Sequence, residues 1–424
     1  MTSSLLLIPG DAADQIRRGG RWGTITTRVS TSENAAAITH LSVEHDPLLP
    51  VGLPKDHWLS YADSYPNGRW YRVDADLHAA WLVSASRRGT GIPLSEFRKF
   101  IPTNFRSGPQ IVVTYCPDTA SRYPDIALPD VLGWHVFEDA AVPMDVEVSP
   151  QSWGVGQLRE HWPVDVLQES TVMVVGAGSI GGAAALELAT YGVGELILVD
   201  PDRLRWHNLI RHISPARDVG HLKVMALRAQ IETVRPDTNV IPHAVDVVSD
   251  ADTVFNLLAT ADVVLCTADG VAPRRTVSHL ARRANIDAIM ACVLENGAIG
   301  EVVRIRPWTS SGCLLCHRRY LRDTGALDPE PTLDSGYETG TPLQPMTAVG
   351  GDLHLVAALA AKTTVATILE RRGHDANQLP GEYAILGLHP HENWAAPFDV
   401  ERAGQIKWSG AWPPYADCVT CGRS

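Results

Sequence analysis

The feature that most limits what this chain can fold into is the turn Gly176-Ala177-Gly178-Ser179-Ile180-Gly181. An apolar run, Thr171-Val172-Met173-Val174-Val175, leads into it, and an Ala-rich stretch, Ile180 to Thr190, leaves it at helical spacing. A second apolar run, Leu196 to Val199, ends in Asp200. Strand, glycine turn, helix, strand and terminal acid in that order predict a βαβ unit. Gly176 permits a tight turn, Gly178 lets backbone approach a phosphate, and Gly181 lets the helix pack close on the sheet. The free N–H groups and the dipole at the helix start then face an anion. Asp200 stands where an acid can hydrogen-bond a ribose hydroxyl.

The rhythm continues. A helix from about Leu222 to Val234 is stopped by Pro236, and Val240–Ile241, a helix at Thr253–Leu258 and the strand Val263–Cys266 follow. The alternation predicts an α/β fold, a Rossmann-like doubly wound and mostly parallel sheet, with ligands outside the carboxyl ends of its strands. Residues 1–150 have another texture. They are rich in Trp and Pro, with short strand-like runs such as Ile111-Val112-Val113-Thr114-Tyr115, and predict a smaller mixed α/β domain for substrate or partner recognition. Residues 151–424 form the nucleotide-binding part. The boundary falls between Val142 and Gly154.

A net charge of -12 opposes binding to nucleic acid, because no excess of cations is left to neutralise phosphates. Leu5–Ile8 is too short for a signal peptide and no basic residue precedes it. Leu353 to Leu369 contains His354 and Lys362 and reads as a buried or amphipathic helix, not a membrane span. Four of the seven cysteines stand in two CxxC pairs, which suits a metal site in a reducing cytoplasm better than a disulfide framework.

The glycines alone do not choose between NAD and ATP. No GxxxxGK[ST] occurs, which excludes a P-loop. Phosphoryl or nucleotidyl transfer needs cations on the phosphates and a carboxylate for Mg²⁺. Arg211 and Lys223 are candidate cations, Asn208 a neutral donor, and Asp202 and Asp269 carboxylates at strand ends. A hydride-transfer enzyme has no need of that set.

The segments Asp200-Pro201-Asp202, Asn208-Leu209-Ile210-Arg211 and Val219-Gly220-His221-Leu222-Lys223 resemble the ThiF/MoeB/HesA family of E1-like adenylyltransferases. Cys266-Thr267-Ala268-Asp269 with Arg274 five residues on, and Gly297-Ala298-Ile299-Gly300, extend the resemblance across residues 165 to 424. It implies that Asp200 binds the ATP ribose, that Asn208, Arg211 and Lys223 contact the phosphates, and that Asp269 serves Mg²⁺ and adenylation. It also implies a homodimer. His212 stands where the family has Gln, Ala268 is one residue extra, and Arg159 is the nearest candidate for the Arg that reaches a neighbouring subunit.

Cys313, Cys316, Cys418 and Cys421 supply four soft thiolates, enough for a closed tetrahedral Zn²⁺ site that clips the C-terminal tail to the domain. Family members that carry substrate as a thioester place a Cys in the crossover segment, and Arg322 to Pro345 contains none. Cys116, after a strand at a Pro-containing turn, is the one other thiol read as exposed. The expected activity is adenylation of the C-terminal carboxylate of a ubiquitin-like protein or precursor peptide, handed on to a thiol or amine acceptor. An NAD-dependent oxidoreductase and a non-catalytic E1-like scaffold are the alternatives.

Overall fold

The computed structural model describes residues 4–53, 57–87, 90–101, 105, 108–126, 128–149, 154–326, 348–374, 377–391 and 394–422. The chain divides into two compact units, Met1–Trp153 and Gly154–Ser424.

The first unit is built on Leu5–Ile8 (β1), Gly10–Arg18 (α1), Trp22–Ser30 (β2), Ala35–Leu41 (β3), Gly68–Arg72 (β4), Ala75–Ser86 (α2), Gln110–Tyr115 (β5), Val131–Val136 (β6) and Ala140–Val148 (β7). Its seven strands close into a ring in the order β1-β3-β2-β4-β5-β6-β7, with β7 pairing back to β1. Side chains alternate across each strand. In β5, Ile111, Val113 and Tyr115 join an inner core with Leu6, Ile25, Ile38 and Trp70, to which α1 adds Ala12, Ala13 and Ile16. Val112 turns the other way, toward Leu77 of α2, Phe97 and Trp134. Two-residue strands, Leu49–Pro50, Asp63–Ser64 and Ile92–Pro93, pair onto β3, β2 and β7.

Cys116 corrects an expectation. It is 1% exposed, its N–H donates to the Asp130 carbonyl at 2.9 Å, and its own carbonyl accepts from the Thr119 hydroxyl at 3.1 Å. A thiol so enclosed cannot carry a substrate from solution. Trp70 and Trp134 are fully buried core residues, whereas Trp58 is half exposed.

The second unit runs Thr171–Val175 (β8), Ser179–Tyr191 (α3), Glu195–Val199 (β9), Lys223–Val234 (α4), Asn239–His243 (β10), Ala251–Leu258 (α5), Val263–Cys266 (β11), Val271–Ala284 (α6), Asp287–Leu294 (β12), Ile299–Ile305 (β13), Leu314–Asp323 (α7), Gly350–Arg371 (α8), Tyr383–Gly387 (β14) and Ile406–Ser409 (β15). The sheet order is β10-β9-β8-β11-β12-β13-β14-β15. The first five strands are parallel and the last three antiparallel. Helices cover both faces, so the central strands are apolar throughout. One core joins α3, α4 and α8 to the sheet, and the other joins α5, α6 and α7. Helix α8 is long and apolar enough to cross a membrane, but 67% of its apolar stretch is buried inside the protein. Most of the crossover segment read from sequence, residues 327–345, lies outside the described residues.

Candidate functional site

The chain leaves β8 for one face of the sheet and reaches β11 from the other, so a cleft opens beyond the carboxyl ends of these two neighbours. Gly176, Gly178, Asp200, Asp202, Lys223 and Asp269 all line it. The glycines differ in what holds them. Gly176 has φ +94°, a left-handed conformation, and passes against the Ala268 backbone. A Cβ on Gly181 would stand 1.8 Å from the Gly176 carbonyl oxygen and 2.3 Å from the Thr267 hydroxyl. A Cβ on Gly178 would meet nothing within 4 Å, and α3 opens there with no side-chain cap. The start of the helix is therefore open toward the cleft.

Asp200 organises this end of the sheet. Its Oδ2 accepts from the Ala177 N–H and its Oδ1 from the Asp202 N–H, both at 2.8 Å. Burial pushes its carboxyl above the usual range, against the pull of the Lys223 ammonium 4.0 Å away. Lys223 opens α4. Its N–H donates to the Asp202 carbonyl at 2.9 Å, and its Nζ donates to Asp202 Oδ2 at 2.8 Å. Thr267 donates its hydroxyl to the Gly176 carbonyl at 2.8 Å and ties the end of β11 to the glycine turn. Asp269, two residues on, is exposed.

Asn208 and Arg211 do not line this cleft. Asn208 is buried, and its Oδ1 caps the short turn Trp206–Asn208 by accepting from the Arg205 N–H at 2.9 Å. Arg211 presents its backbone to α8, where its carbonyl meets His354 Nε2 at 3.3 Å, and its buried Nε has no partner among the described residues. Burial first, then the charges of Lys223 and Arg211, hold the neighbouring His212 at about 4, so it is neutral at pH 7. Arg159 pairs with Asp165 at 3.0 Å on the surface.

Val245, Asp246, Val247 and Pro273 also line the cleft, and sequence reasoning did not single them out; Thr267 lines it too, and the sequence marked it only as part of the segment Cys266–Asp269. The signal was the cluster Asp246 to Asp250, a turn after a strand. Asp246 Oδ1 accepts from the Val248 and Ser249 N–H groups at 2.9 and 2.8 Å. The lining thus carries the carboxylates of Asp200, Asp202, Asp246 and Asp269 against the one ammonium of Lys223.

Farther off, Cys313, Cys316, Cys418 and Cys421 converge, their sulfurs all within 4.8 Å of one another. Neighbouring sulfurs are 4.0, 3.5 and 3.4 Å apart, and all four cysteines are free of disulfides. Four thiolates about 2.3 Å from one tetrahedral ion stand about 3.8 Å apart, so the cluster has the dimensions of a metal site. Burial pushes Cys316 up to about 11 and Cys313 higher still, so without a cation both would stay protonated. Trp412 secures the same tail, its indole N–H donating to the Cys313 carbonyl at 3.0 Å.

A parallel sheet with a glycine turn, a buried acid and a lysine at its switch point defines an α/β protein of the nucleotide-binding class. The ThiF family model matches residues 155–392, more than half of the chain, and the chain belongs to that family. It is 32% identical over 151 residues to Protein HesA of Leptolyngbya boryana, covering 35% of this chain and 53% of that protein. It is 30% identical over 151 residues to the sulfur carrier protein ThiS adenylyltransferase of Escherichia coli (strain K12), covering 35% and 59%. The chain therefore spans about half the length of these curated relatives. Among solved structures, E. coli MccB with ATP aligns at TM-score 0.45 and 20% identity, over 61% of this chain and 68% of that one.

Proposed function

We propose that this chain is an E1-like adenylyltransferase that uses ATP and Mg²⁺ to activate the C-terminal carboxylate of a ubiquitin-like protein or peptide. The observation that carries the reading is the convergence of Gly178, Asp200, Lys223 and Asp269 on one cleft at the sheet's switch point. Backbone at Gly178 and the start of α3 receive a phosphate, Asp200 accepts from a ribose hydroxyl, and Lys223 supplies positive charge. Val245 and Val247 offer an apolar wall for the base.

The excess of carboxylates in the lining accounts for the metal requirement. A free triphosphate would be repelled; Asp269, with Asp202 in reserve, would hold Mg²⁺, which would neutralise charge on the phosphates. A carboxylate oxygen of the substrate attacks the α-phosphorus, the bond to the bridging oxygen breaks, and pyrophosphate leaves. The protein contributes position and charge, with no covalent step of its own. Since residues 322–345 contain no cysteine, the acyl-adenylate passes to a thiol or amine on another molecule. The cysteine cluster holds Zn²⁺ as a structural clip, the protein acts as a homodimer in the cytoplasm, and Arg211 reaches the phosphates once nucleotide draws its segment in.

Pyrophosphate exchange into ATP, assayed with a panel of peptides bearing free C-termini, tests the reading. Asp269→Ala should lower exchange by about a hundredfold or more, and Arg211→Ala by about tenfold. Full exchange by the Asp269 variant, or binding of NAD with no binding of ATP by the parent protein, would overturn it.

A further inference from the structure

Arg274 lies in the first turn of α6, five residues after Asp269, and is 7% exposed. Its side chain folds back toward the loop it has just left. Nε donates to the Gly270 carbonyl at 2.8 Å, and Nη1 donates to the Cys292 sulfur at 3.2 Å. The Cys292 thiol in turn donates to Glu301 Oε2 at 3.4 Å. Glu301 is fixed from two further elements. Arg318 of α7 grips both its oxygens at 2.5 and 2.6 Å, and the Tyr383 hydroxyl donates to it at 2.8 Å.

Two points make this more than packing. Arg274 forms no ion pair among the described residues, and a buried cation without a direct counter-charge is a poor way to gain stability. Its Nε is spent on Gly270, whose φ of +89° marks the joint between the exposed loop and the helix. Asp269 is the residue directly before that joint.

We propose that Arg274 is a positioning residue: by holding the Gly270 carbonyl, it sets the direction in which the Asp269 carboxylate faces the cleft. Cys292, Glu301 and Arg318 hold the guanidinium in turn, so the loop is registered against the interior of the domain. The consequence for catalysis rests on the adenylation reading, whereas the consequence for the loop does not.

Two variants test it. Arg274→Lys keeps the charge but cannot bond Gly270 and Cys292 in the same fork. Cys292→Ala removes one anchor and leaves the cation, and serves if the first variant does not fold. In Arg274→Lys, amide hydrogen exchange over residues 267–272 should quicken about tenfold with the rest of the domain unchanged. Peptide-dependent pyrophosphate exchange should lose about tenfold in kcat, with KM for ATP within about twofold, because misplacing one group by a fraction of an ångström acts on the chemical step. Half-saturation by Mg²⁺ should rise. Cys292→Ala should shift each quantity the same way by less. Parental loop protection and parental kcat in a folded variant would overturn the proposal. A parent protein without exchange activity, alongside a loosened loop in Arg274→Lys, would sink the adenylation reading and leave the positioning role standing.

Discussion

Gly178 and Gly181 sit three residues apart in one turn and answer to opposite constraints. A methyl at 181 collides with backbone at 1.8 Å, and backbone cannot swing aside as a side chain can. Gly181→Ala should therefore destabilise the domain by about 1–3 kcal/mol, as overpacking does, with a lower urea midpoint. At 178 the same methyl meets open space and a backbone conformation, φ -77° and ψ -159°, that alanine can adopt. Gly178→Ala should hold stability within about 0.5 kcal/mol and still weaken ATP binding by calorimetry, because the methyl occupies ground a phosphate needs. Equal ATP affinity in Gly178→Ala and parent would remove the phosphate from this turn.

At the scale of elements, the tail shows how a second attachment works. Residues 412–421 are held by Trp412, by Arg319 on Asp417, by Tyr415 on Asp323 and by two of the four cluster sulfurs, so with zinc bound there its loss should loosen the end of the chain without unfolding the sheet. Metal analysis should find one zinc per chain. Cys418→Ser should lose it, and proteolysis should then clip the tail first. A variant that keeps its zinc and its protease resistance would refute the clip.

The second unit's elements were largely legible in sequence, since a strand covered on both faces reads as an unbroken apolar run, as in Val263–Cys266. The four cysteines were legible for a different reason: CxxC spacing sets both sulfurs of a pair on one side of a turn. Two things were hidden. Asn208 and Arg211 share a stretch with Lys223, but the short turn at Trp206–Asn208 commits the Asn208 oxygen to Arg205, and neither residue is among those lining the cleft. The pairing of Leu5 with Asp145 leaves no local mark, because its partners are 140 residues apart, so the ring could not be read.

For the whole molecule, the notable surface is apolar. Trp206, Ile210 and Val349 are 71%, 87% and 64% exposed, and Gly350 packs against the Ile210 carbonyl and the Arg211 backbone, which brings Val349 beside Ile210. A homodimer would cover such a patch. Ile210→Asp should leave the fold intact, since a side chain this exposed carries little folding energy, yet halve the mass measured by light scattering. A parent protein that is monomeric at micromolar concentration would refute the dimer.

The ring of the first unit bears on how that part meets other chains. A sheet that returns to its own first strand offers almost no unbonded backbone, and the strands hung outside it are only two residues long. Among the described residues, an extended peptide finds no long free edge to lie alongside as an added ribbon. Recognition by this unit would then fall to side chains, and among the described residues Trp58, Tyr61 and Phe137 are the aromatic ones exposed to water.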